Sequence, residues 1–235
     1  MLEIDGLTVT VRRSPVLRGI DMRVPSGCLA GLVGRNGAGK TTTLRSIMGL
    51  IRVQGGSVTL DDVDLLRTKS HDRARLGVGY VPEDRRLIPA MSVEQNLLLP
   101  AWANGTTGAG QRLKRIYELM PEVGELALRR ATQLSGGQQK LVALARALMV
   151  GRRALLLDEP FEGLAPALAQ RMGDALRAVQ EQENMSMILA ESELRHVTRL
   201  AHRVYTIERG EIVQFSESDG AVEPENHERG AARGR

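Results

Sequence analysis

The sequence predicts an α/β fold whose core is a mainly parallel β-sheet. Short apolar segments of strand type alternate with longer segments of helical periodicity through most of the chain, which is typical of parallel strands joined by helical crossovers. The chain has 235 residues, of which 42% are hydrophobic, so it can bury one substantial core. Only 3% are aromatic, and the core is therefore expected to consist of aliphatic side chains.

The composition narrows the class of protein. No apolar run reaches the length that a membrane-spanning helix needs, and the N-terminus lacks the basic start and apolar stretch of a signal peptide. We therefore expect a cytoplasmic chain. The single cysteine, Cys28, excludes an internal disulfide framework and is predicted to be a small buried strand residue. The arginines are scattered, which favours a solvated or partner-facing surface over a nucleic-acid interface.

The predicted elements follow from local periodicity. Residues 2–24 alternate apolar and polar side chains and predict short strands with a turn near residues 12–15. Further strands are predicted at residues 28–33, 57–60, 78–81, 154–157, 187–190, 204–207 and 212–215. Helices of the core are predicted at residues 40–50, 137–150, 166–181 and 193–200.

A change of pattern after about residue 87 predicts a helical insertion into this core. Ser92 is a predicted N-cap for a helix that reaches Leu99, and residues 111–120 carry apolar side chains at helical spacing until Pro121 ends the helix. Residues 216–235 are polar and rich in Gly, Glu and Arg. They are predicted to form a disordered tail outside a folded domain at residues 1–215.

A glycine-rich loop between a predicted strand and a predicted helix fits the pattern G-x-x-x-x-G-K-[ST]. Its glycines allow the backbone to aim N–H groups at phosphate oxygens, and the helix N-terminus adds partial positive charge. Lys40 is expected to reach the β- and γ-phosphates, and the Thr41 hydroxyl is expected to ligate Mg²⁺. The predicted ATP-binding residues of this loop are Gly34, Arg35, Asn36, Gly37, Ala38, Gly39, Lys40, Thr41 and Thr42.

Two acidic residues follow the apolar strand predicted at 154–157. In folds of this kind the strand end lies beside the phosphate loop, where a carboxylate can hold Mg²⁺ through water. Asp158 suits that role. Glu159 suits a general base that orients and deprotonates the attacking water.

A second anion site is predicted at another helix N-terminus. Ser135, Gly136, Gly137 and Gln138 follow Leu134 and open the helix at 137–150. A serine before two glycines in that position presents backbone N–H groups to an anion, although this site has no lysine of its own.

The order of these motifs resembles the ATP-binding cassette of ABC transporters, over about residues 2–215. The resemblance implies a P-loop NTPase core with an antiparallel β subdomain and an α-helical subdomain inserted at about residues 87–140. It identifies Ser135–Gln138 as the signature motif. In that family two cassettes meet head to tail, and each signature closes on the γ-phosphate held by the other cassette. A dimer with two composite sites for ATP and Mg²⁺ is therefore implied.

Shorter motifs narrow the resemblance to the LivF type, the smaller ATPase of branched-chain amino-acid importers. That group also includes importers of urea, amides and some aromatic acids. The family pattern implies a second ABC ATPase subunit, two membrane permeases and a periplasmic solute-binding protein, with the chain on the cytoplasmic face of the inner membrane. The motifs are G-R-N-G-A-G-K-T-T-T-L at 34–44, I-M-G-L at 47–50, V-P-E at 81–83, S-V-E-x-N-L at 92–97, Y-E-L-x-P at 117–121 and G-L-A-P at 163–166.

The sequence departs from the wider family pattern at several positions. Glu83 replaces the usual glutamine, as is common in the LivF type, and can still coordinate Mg²⁺ or water. Val11 stands where an aromatic residue normally stacks on adenine, so stacking is expected to be weak. Ser192 occupies the switch-histidine position, and His196 is expected on the following helix. Ala165 replaces the aspartate of the D-loop.

These residues predict a transport ATPase whose phosphate contacts are intact and whose adenine and switch contacts are weakened. Two alternatives remain at this point. A nucleic-acid- or ribosome-associated ABC protein usually carries two cassettes or a long coiled-coil insertion, and this chain has neither. A regulatory cassette with weak hydrolysis is suggested by Ser192 and Val11 but is disfavoured by the intact Asp158–Glu159 pair. The transported solute cannot be inferred from these residues.

Overall fold

A computed structural model of the protein describes residues 1–105 and 107–217. The strands are β1 (Leu2–Val11), β2 (Ser14–Val24), β3 (Leu29–Val33), β4 (Gly55–Leu60), β5 (Val63–Asp64), β6 (Val78–Val81), β7 (Ala154–Asp158), β8 (Ser186–Glu191), β9 (Arg203–Glu208) and β10 (Glu211–Glu217). The helices are α1 (Lys40–Ile47), α2 (Ser70–Arg75), α3 (Val93–Asn104), α4 (Ala109–Leu119), α5 (Pro121–Glu125), α6 (Gly136–Leu148), α7 (Pro166–Gln182) and α8 (Leu194–Val197).

The central sheet has six strands in the order β10-β9-β3-β8-β7-β6. All neighbours are parallel except β10, which pairs antiparallel with β9 at one edge. Every residue of β7 and β8 is buried, as expected for inner strands of a parallel sheet covered on both faces. The predicted α/β class with a mainly parallel sheet is confirmed.

A second sheet is antiparallel, with the order β2-β1-β4-β5. Its buried side chains share one apolar cluster with helix α1 and with one face of the central sheet. The strands β1 and β2 are longer than predicted, with 10 and 11 residues, and several register shifts interrupt their pairing. This sheet is the antiparallel layer that the family resemblance implies.

The opposite face of the central sheet is covered by the helices of the insertion together with α6 and α7. Ser92 caps α3 as predicted: its hydroxyl accepts from Gln95 N, and the Gln95 side chain accepts from Ser92 N. The helix nevertheless continues through Pro100 to Asn104. Pro121 does not merely end α4, because it also begins α5, where its fixed φ suits the first turn.

Other predicted boundaries also differ from the structure. Cys28 lies just before β3 and is only half-buried. The helix predicted at 193–200 is the short α8, and β10 continues to Glu217, past the predicted domain end at 215. The remaining residues of the predicted disordered tail, 218–235, lie outside the described part of the chain.

Arg112 ties the inserted helices to the core. Its guanidinium donates to the carbonyl oxygens of Leu148 and Gly151 and makes a bidentate contact with the Glu183 carboxylate after α7. The two side chains of this ion pair are only 12% and 15% exposed. Such a pair is strongly destabilising to break, because removing one partner leaves an uncompensated, largely desolvated charge.

We expect Arg112→Ala to lower the free energy of unfolding by about 3 kcal/mol, since Glu183 then loses its counterion in a partly buried site. Denaturant unfolding of the full chain measures this change. Arg177→Ala is the matched control, because Arg177 is 47% exposed and pairs with the exposed Asp174 in the same helix, a contact worth at most about 1 kcal/mol. Equal losses in both variants would contradict the assigned role of Arg112.

Candidate nucleotide site

The phosphate loop joins the carboxyl end of β3 to the first turn of α1. Gly34 donates its N–H to Glu191 O at 3.3 Å, which ties the start of the loop to the end of β8. A Cβ atom at Gly34 would lie 2.3 Å from Ile207 O, and one at Gly39 would lie 2.8 Å from a Leu17 methyl carbon. Gly39 also has φ +120°, which L-residues rarely adopt. The packing around the loop therefore requires glycine at both positions, independently of any phosphate.

The loop forms one wall of a cavity of about 420 Å³. Its lining brings together the loop, the strand ends and β2. The lining residues are Val16, Asn36, Gly37, Gly39, Lys40, Thr41, Thr42, Glu83, Glu159 and Glu162. Residues 34, 35 and 38 belong to the same loop but do not line the cavity.

Lys40 is buried at the centre of the loop, with 4% of its side chain exposed. Its ammonium donates to Gly34 O at 2.6 Å, to Arg35 O at 3.3 Å and to Ser192 Oγ at 3.0 Å. It also forms an ion pair with Glu159 Oε1 at 3.1 Å. The ammonium is therefore held by protein groups at the wall of the cavity that the loop forms.

Thr41 and Asp158 meet at the end of the loop. The Thr41 hydroxyl donates to Asp158 Oδ1 at 3.0 Å, and Tyr80 donates to Asp158 Oδ2 at 3.3 Å. Burial raises the pKa of Asp158, and the nearby Glu83 and Glu159 charges raise it further. Burial and the Asp158 charge likewise raise the pKa of Tyr80 to about 12, so Tyr80 stays a hydrogen-bond donor at neutral pH.

These oxygens fit Mg²⁺ bound together with a nucleotide. Mg²⁺ takes few protein ligands and keeps water and phosphate oxygens in its octahedron. Thr41 Oγ1 and Asp158 Oδ1 are adjacent, and Glu83 lines the same cavity. Within residues 1–105 and 107–217 no group of three or more His, Cys, Asp or Glu side chains could hold a metal by itself, so phosphate and water would have to complete the coordination.

Glu159 has a strained backbone, with φ +48°. A non-glycine residue in this region costs about 1 kcal/mol or more and needs support from its surroundings. Its N–H donates to Ala190 O at 2.9 Å, and its carboxylate accepts from Ser192 at 2.8 Å. In this conformation the carboxylate contacts Lys40 and lines the cavity.

Ser192 lies inside the site, as its place in the switch position predicts. Its hydroxyl contacts Lys40 Nζ, Glu159 Oε1 and Asn36 Oδ1, the last at 2.8 Å. His196 lies on α8, where it was expected. Its Nδ1 is 3.4 Å from Glu191 Oε2 and its ring centroid is 5.4 Å from that of Phe161, so its described contacts belong to a different cluster.

The predicted signature motif forms the start of α6. Ser135 is the N-cap, with its hydroxyl accepting from Gln138 N at 3.3 Å and its N–H donating to Gln138 Oε1 at 2.9 Å. Ser135 and Gly136 are exposed, and no residue of the motif lines the cavity. This placement is compatible with a motif that acts on a nucleotide held by another chain.

Comparisons with known proteins identify the family to which the chain belongs. The ABC transporter sequence model matches residues 17–162. The chain is 32% identical to the high-affinity branched-chain amino acid transport ATP-binding protein BraG of Pseudomonas aeruginosa, over 91% of each chain. It is 31% identical to the lipopolysaccharide export system ATP-binding protein LptB of Escherichia coli K12, over 84% of this chain and 83% of LptB.

The chain belongs to the ABC transporter family. It is an ATPase that binds ATP with Mg²⁺ and couples hydrolysis to transport. The fold agrees with solved cassettes: MJ1267 in its ADP conformation has a TM-score of 0.82 at 23% identity, covering 93% of this chain and 91% of MJ1267. Dimeric MJ0796 has a TM-score of 0.83 at 22% identity, covering 92% and 98%.

Two features of this ABC cassette differ from the sequence-based expectation. Val11 ends β1 with 40% of its surface exposed and does not line the cavity, whereas Val16 on β2 does. The spacing along the first strand predicted Val11 as the adenine contact. It could not predict Val16, because the register shifts between β1 and β2 are not visible in the sequence pattern. Tyr80 and Glu162 were also missed, because a tyrosine inside a strand and an acid in a turn carry no motif.

A helix able to cross a bilayer must be long and apolar, and none occurs within residues 1–105 and 107–217 of this ABC cassette.

We expect Asp158→Asn to raise the free energy of unfolding at pH 7 when no nucleotide or metal is added. The folded-state pKa of Asp158 is raised, so the stability contributed by the protonated carboxyl is present at low pH and is lost as the pH rises through that pKa. Asparagine can keep the contacts with Thr41 and Tyr80 without the charge. Denaturant unfolding between pH 4 and pH 7 measures the effect.

The gain should shrink towards acid pH, where Asp158 itself becomes protonated. Asp62→Asn is the control, because Asp62 is exposed. A gain that does not change with pH, or a loss of stability at pH 7, would contradict the burial argument.

Proposed function

We propose that the chain is the ATP-hydrolysing subunit of an importer of branched-chain amino acids or a related small polar solute, such as urea, an amide or an aromatic acid. The observation that carries the solute class is the match to BraG, which extends over 91% of both chains. A 27% identical relative, the probable branched-chain amino acid transport ATP-binding protein LivF of Archaeoglobus fulgidus, matches over 97% of each chain and supports it further.

Each part of the site has a role in this proposal. Lys40 and the loop N–H groups bind the β- and γ-phosphates, and Thr41 with Asp158 holds Mg²⁺, while Glu83 contributes through water. Glu159 is the general base for the attacking water. Its carboxylate is buried and held by Ser192 and Lys40, which is the arrangement that a positioned base requires.

Ser192 takes the switch position with a shorter side chain than histidine. Its hydroxyl reaches Lys40 and Glu159 together and can orient the base, but as a neutral group it offers a bound γ-phosphate no positive charge. Adenine is contacted by aliphatic side chains only: Val16 lines the cavity, and Val11 stays a candidate contact on the exposed rim.

The partners follow from the signature motif. Ser135–Gln138 would bind the γ-phosphate in a second ABC ATPase subunit, identical or related, because the motif is exposed and outside the cavity of its own chain. Solved cassettes such as MJ0796 are described as dimeric. Two membrane permeases would hold the pair at the cytoplasmic face of the plasma membrane, with a periplasmic binding protein delivering the solute. No nucleic acid takes part.

Lipopolysaccharide export is the second candidate. LptB of Escherichia coli is as similar in identity as BraG, but over a smaller share of this chain. The two functions use the same nucleotide chemistry and differ only in the membrane partners and the transported molecule.

Glu159→Gln should bind ATP normally and lower hydrolysis by about 100-fold or more, because the amide cannot accept the proton of the attacking water. Steady-state hydrolysis and equilibrium ATP binding of the full chain measure the two effects. Glu125→Gln, at an exposed position on α5, is the matched control. Normal turnover by Glu159→Gln would remove Glu159 from the role of base.

Reconstitution with its permeases in liposomes tests the solute. A branched-chain amino acid presented with the cognate binding protein should raise the ATP turnover of the complex several-fold, and lipopolysaccharide should leave it unchanged. Stimulation by lipopolysaccharide and not by a branched-chain amino acid would contradict the importer and support the export function. Stimulation by urea, an amide or an aromatic acid would keep the importer and reassign its solute.

A further inference from the structure

Lys140 lies on α6, two residues after the signature motif, and is buried with 7% of its surface exposed. Its ammonium donates to Glu159 O at 2.8 Å and to Glu162 O at 2.6 Å. Within residues 1–105 and 107–217 no carboxylate lies within ion-pair distance of it. Burying a cation without a carboxylate partner is unfavourable, and packing alone would be served as well by a methionine.

The two carbonyl groups belong to the turn that carries the proposed base. Glu159 O is the carbonyl of the residue with φ +48°, and Gly163 follows with φ +66°. The turn is weakly closed by its own hydrogen bonds, since Glu162 N is 3.4 Å from Glu159 O. Lys140 therefore donates hydrogen bonds to the carbonyl oxygens at both ends of the segment 159–162.

A second anchor holds the same turn from the sheet. Glu191, at the end of β8, is buried and accepts from Phe161 N at 2.9 Å. The turn is thus fixed by a carboxylate on its amide side and by an ammonium on its carbonyl side. Burial lowers the pKa of Lys140, while the charges of Glu162, Glu191 and Glu159 favour its protonated form.

We propose that Lys140 is a positioning residue for ATP hydrolysis, which holds Glu159 in its strained conformation through hydrogen bonds to the Glu159 and Glu162 carbonyl oxygens. This inference rests on the proposed role of Glu159 as the base. Without the ammonium, the turn keeps its hydrogen bonds to Glu191 and Ala190 but loses the donor of its two carbonyl oxygens. The strained Glu159 backbone can then relax towards negative φ, which moves its carboxylate away from Lys40 and Ser192. Phosphate binding does not depend on Lys140, because Lys140 is not among the residues that line the cavity.

The position of Lys140 on α6 connects the signature motif with the turn that carries Glu159. The first turn of α6 carries the signature motif, and the next turn carries Lys140, so one rigid helix contacts both the surface offered to a partner and the turn of the base. Gly137 permits this close packing, because a Cβ there would lie 2.5 Å from a Leu168 methyl carbon on α7.

The test uses the full chain with Lys140→Met, which keeps the length and removes the donors, and Lys140→Arg, which keeps charge and donors. Lys114→Met is the control, because Lys114 is exposed on α4. We expect Lys140→Met to lower kcat at least about tenfold with an ATP Kd within about twofold of the original. Lys140→Arg should recover part of that loss.

Hydrogen exchange gives a readout that does not depend on turnover. Backbone amides of residues 161–164 should exchange faster in Lys140→Met than in the unaltered chain and in Lys114→Met, while those of the phosphate loop remain unchanged. Unaltered kcat and unaltered exchange in Lys140→Met would overturn the proposal. So would a joint loss of ATP binding and thermal stability that Lys140→Arg does not restore, since that result describes a purely structural lysine.

Glu159→Gln, measured in parallel, separates this inference from the proposed function. If Glu159→Gln keeps normal turnover, the role of the base fails whatever Lys140 does, and exchange still reports whether Lys140 holds the turn. If Glu159→Gln abolishes turnover while Lys140→Met leaves kcat and exchange unchanged, only the positioning role fails.

Discussion

The contact between the buried ammonium of Lys40 and the ends of three parallel strands organises this protein. Lys40 follows β3, Glu159 follows β7 and Ser192 follows β8, and the three side chains meet within 3.1 Å of one another's polar atoms. This meeting is possible only because β3, β8 and β7 are neighbours in one parallel sheet, whose carboxyl ends lie at the same edge. The order of the strands in the sheet therefore brings these three side chains together.

The antiparallel sheet and helix α6 contact this edge of the central sheet from opposite faces. The antiparallel sheet packs on α1 and contributes Val16 to the cavity. On the other face, α6 supports the turn after β7 through Lys140 and the loop after β6 through Arg146, which donates to the carbonyl oxygens of Arg85 and Arg86. Both arginines of that loop have positive φ. Helix α6 therefore supports two loops with strained residues, and these loops contribute Glu83, Glu159 and Glu162 to the lining of the cavity.

Much of this arrangement could be predicted from the sequence, because its parts are local. The phosphate loop, the acidic strand end and the Ser135 cap each depend on residues within a few positions of one another, and the fold class follows from the local alternation of strand-like and helical segments. The roles of Val16, Tyr80 and Lys140 could not be predicted in the same way. Each acts on a residue far away in the chain, as Tyr80 does on Asp158, and such pairs depend on strand register and helix packing that a single sequence does not encode visibly.

The ion pair between Lys40 and Glu159 has a consequence for nucleotide binding. A phosphate bound in the loop would compete for the same positive charge with the Glu159 carboxylate, which is the anionic partner of this ammonium in the structure. On the proposed function, nucleotide binding would then act as an exchange of counterions: the phosphate would replace the Glu159 carboxylate as a partner of Lys40, and the carboxylate would become available to a water molecule. If Glu159 is the base, this ion pair would couple phosphate binding to the charge environment of its carboxylate over a distance of 3.1 Å.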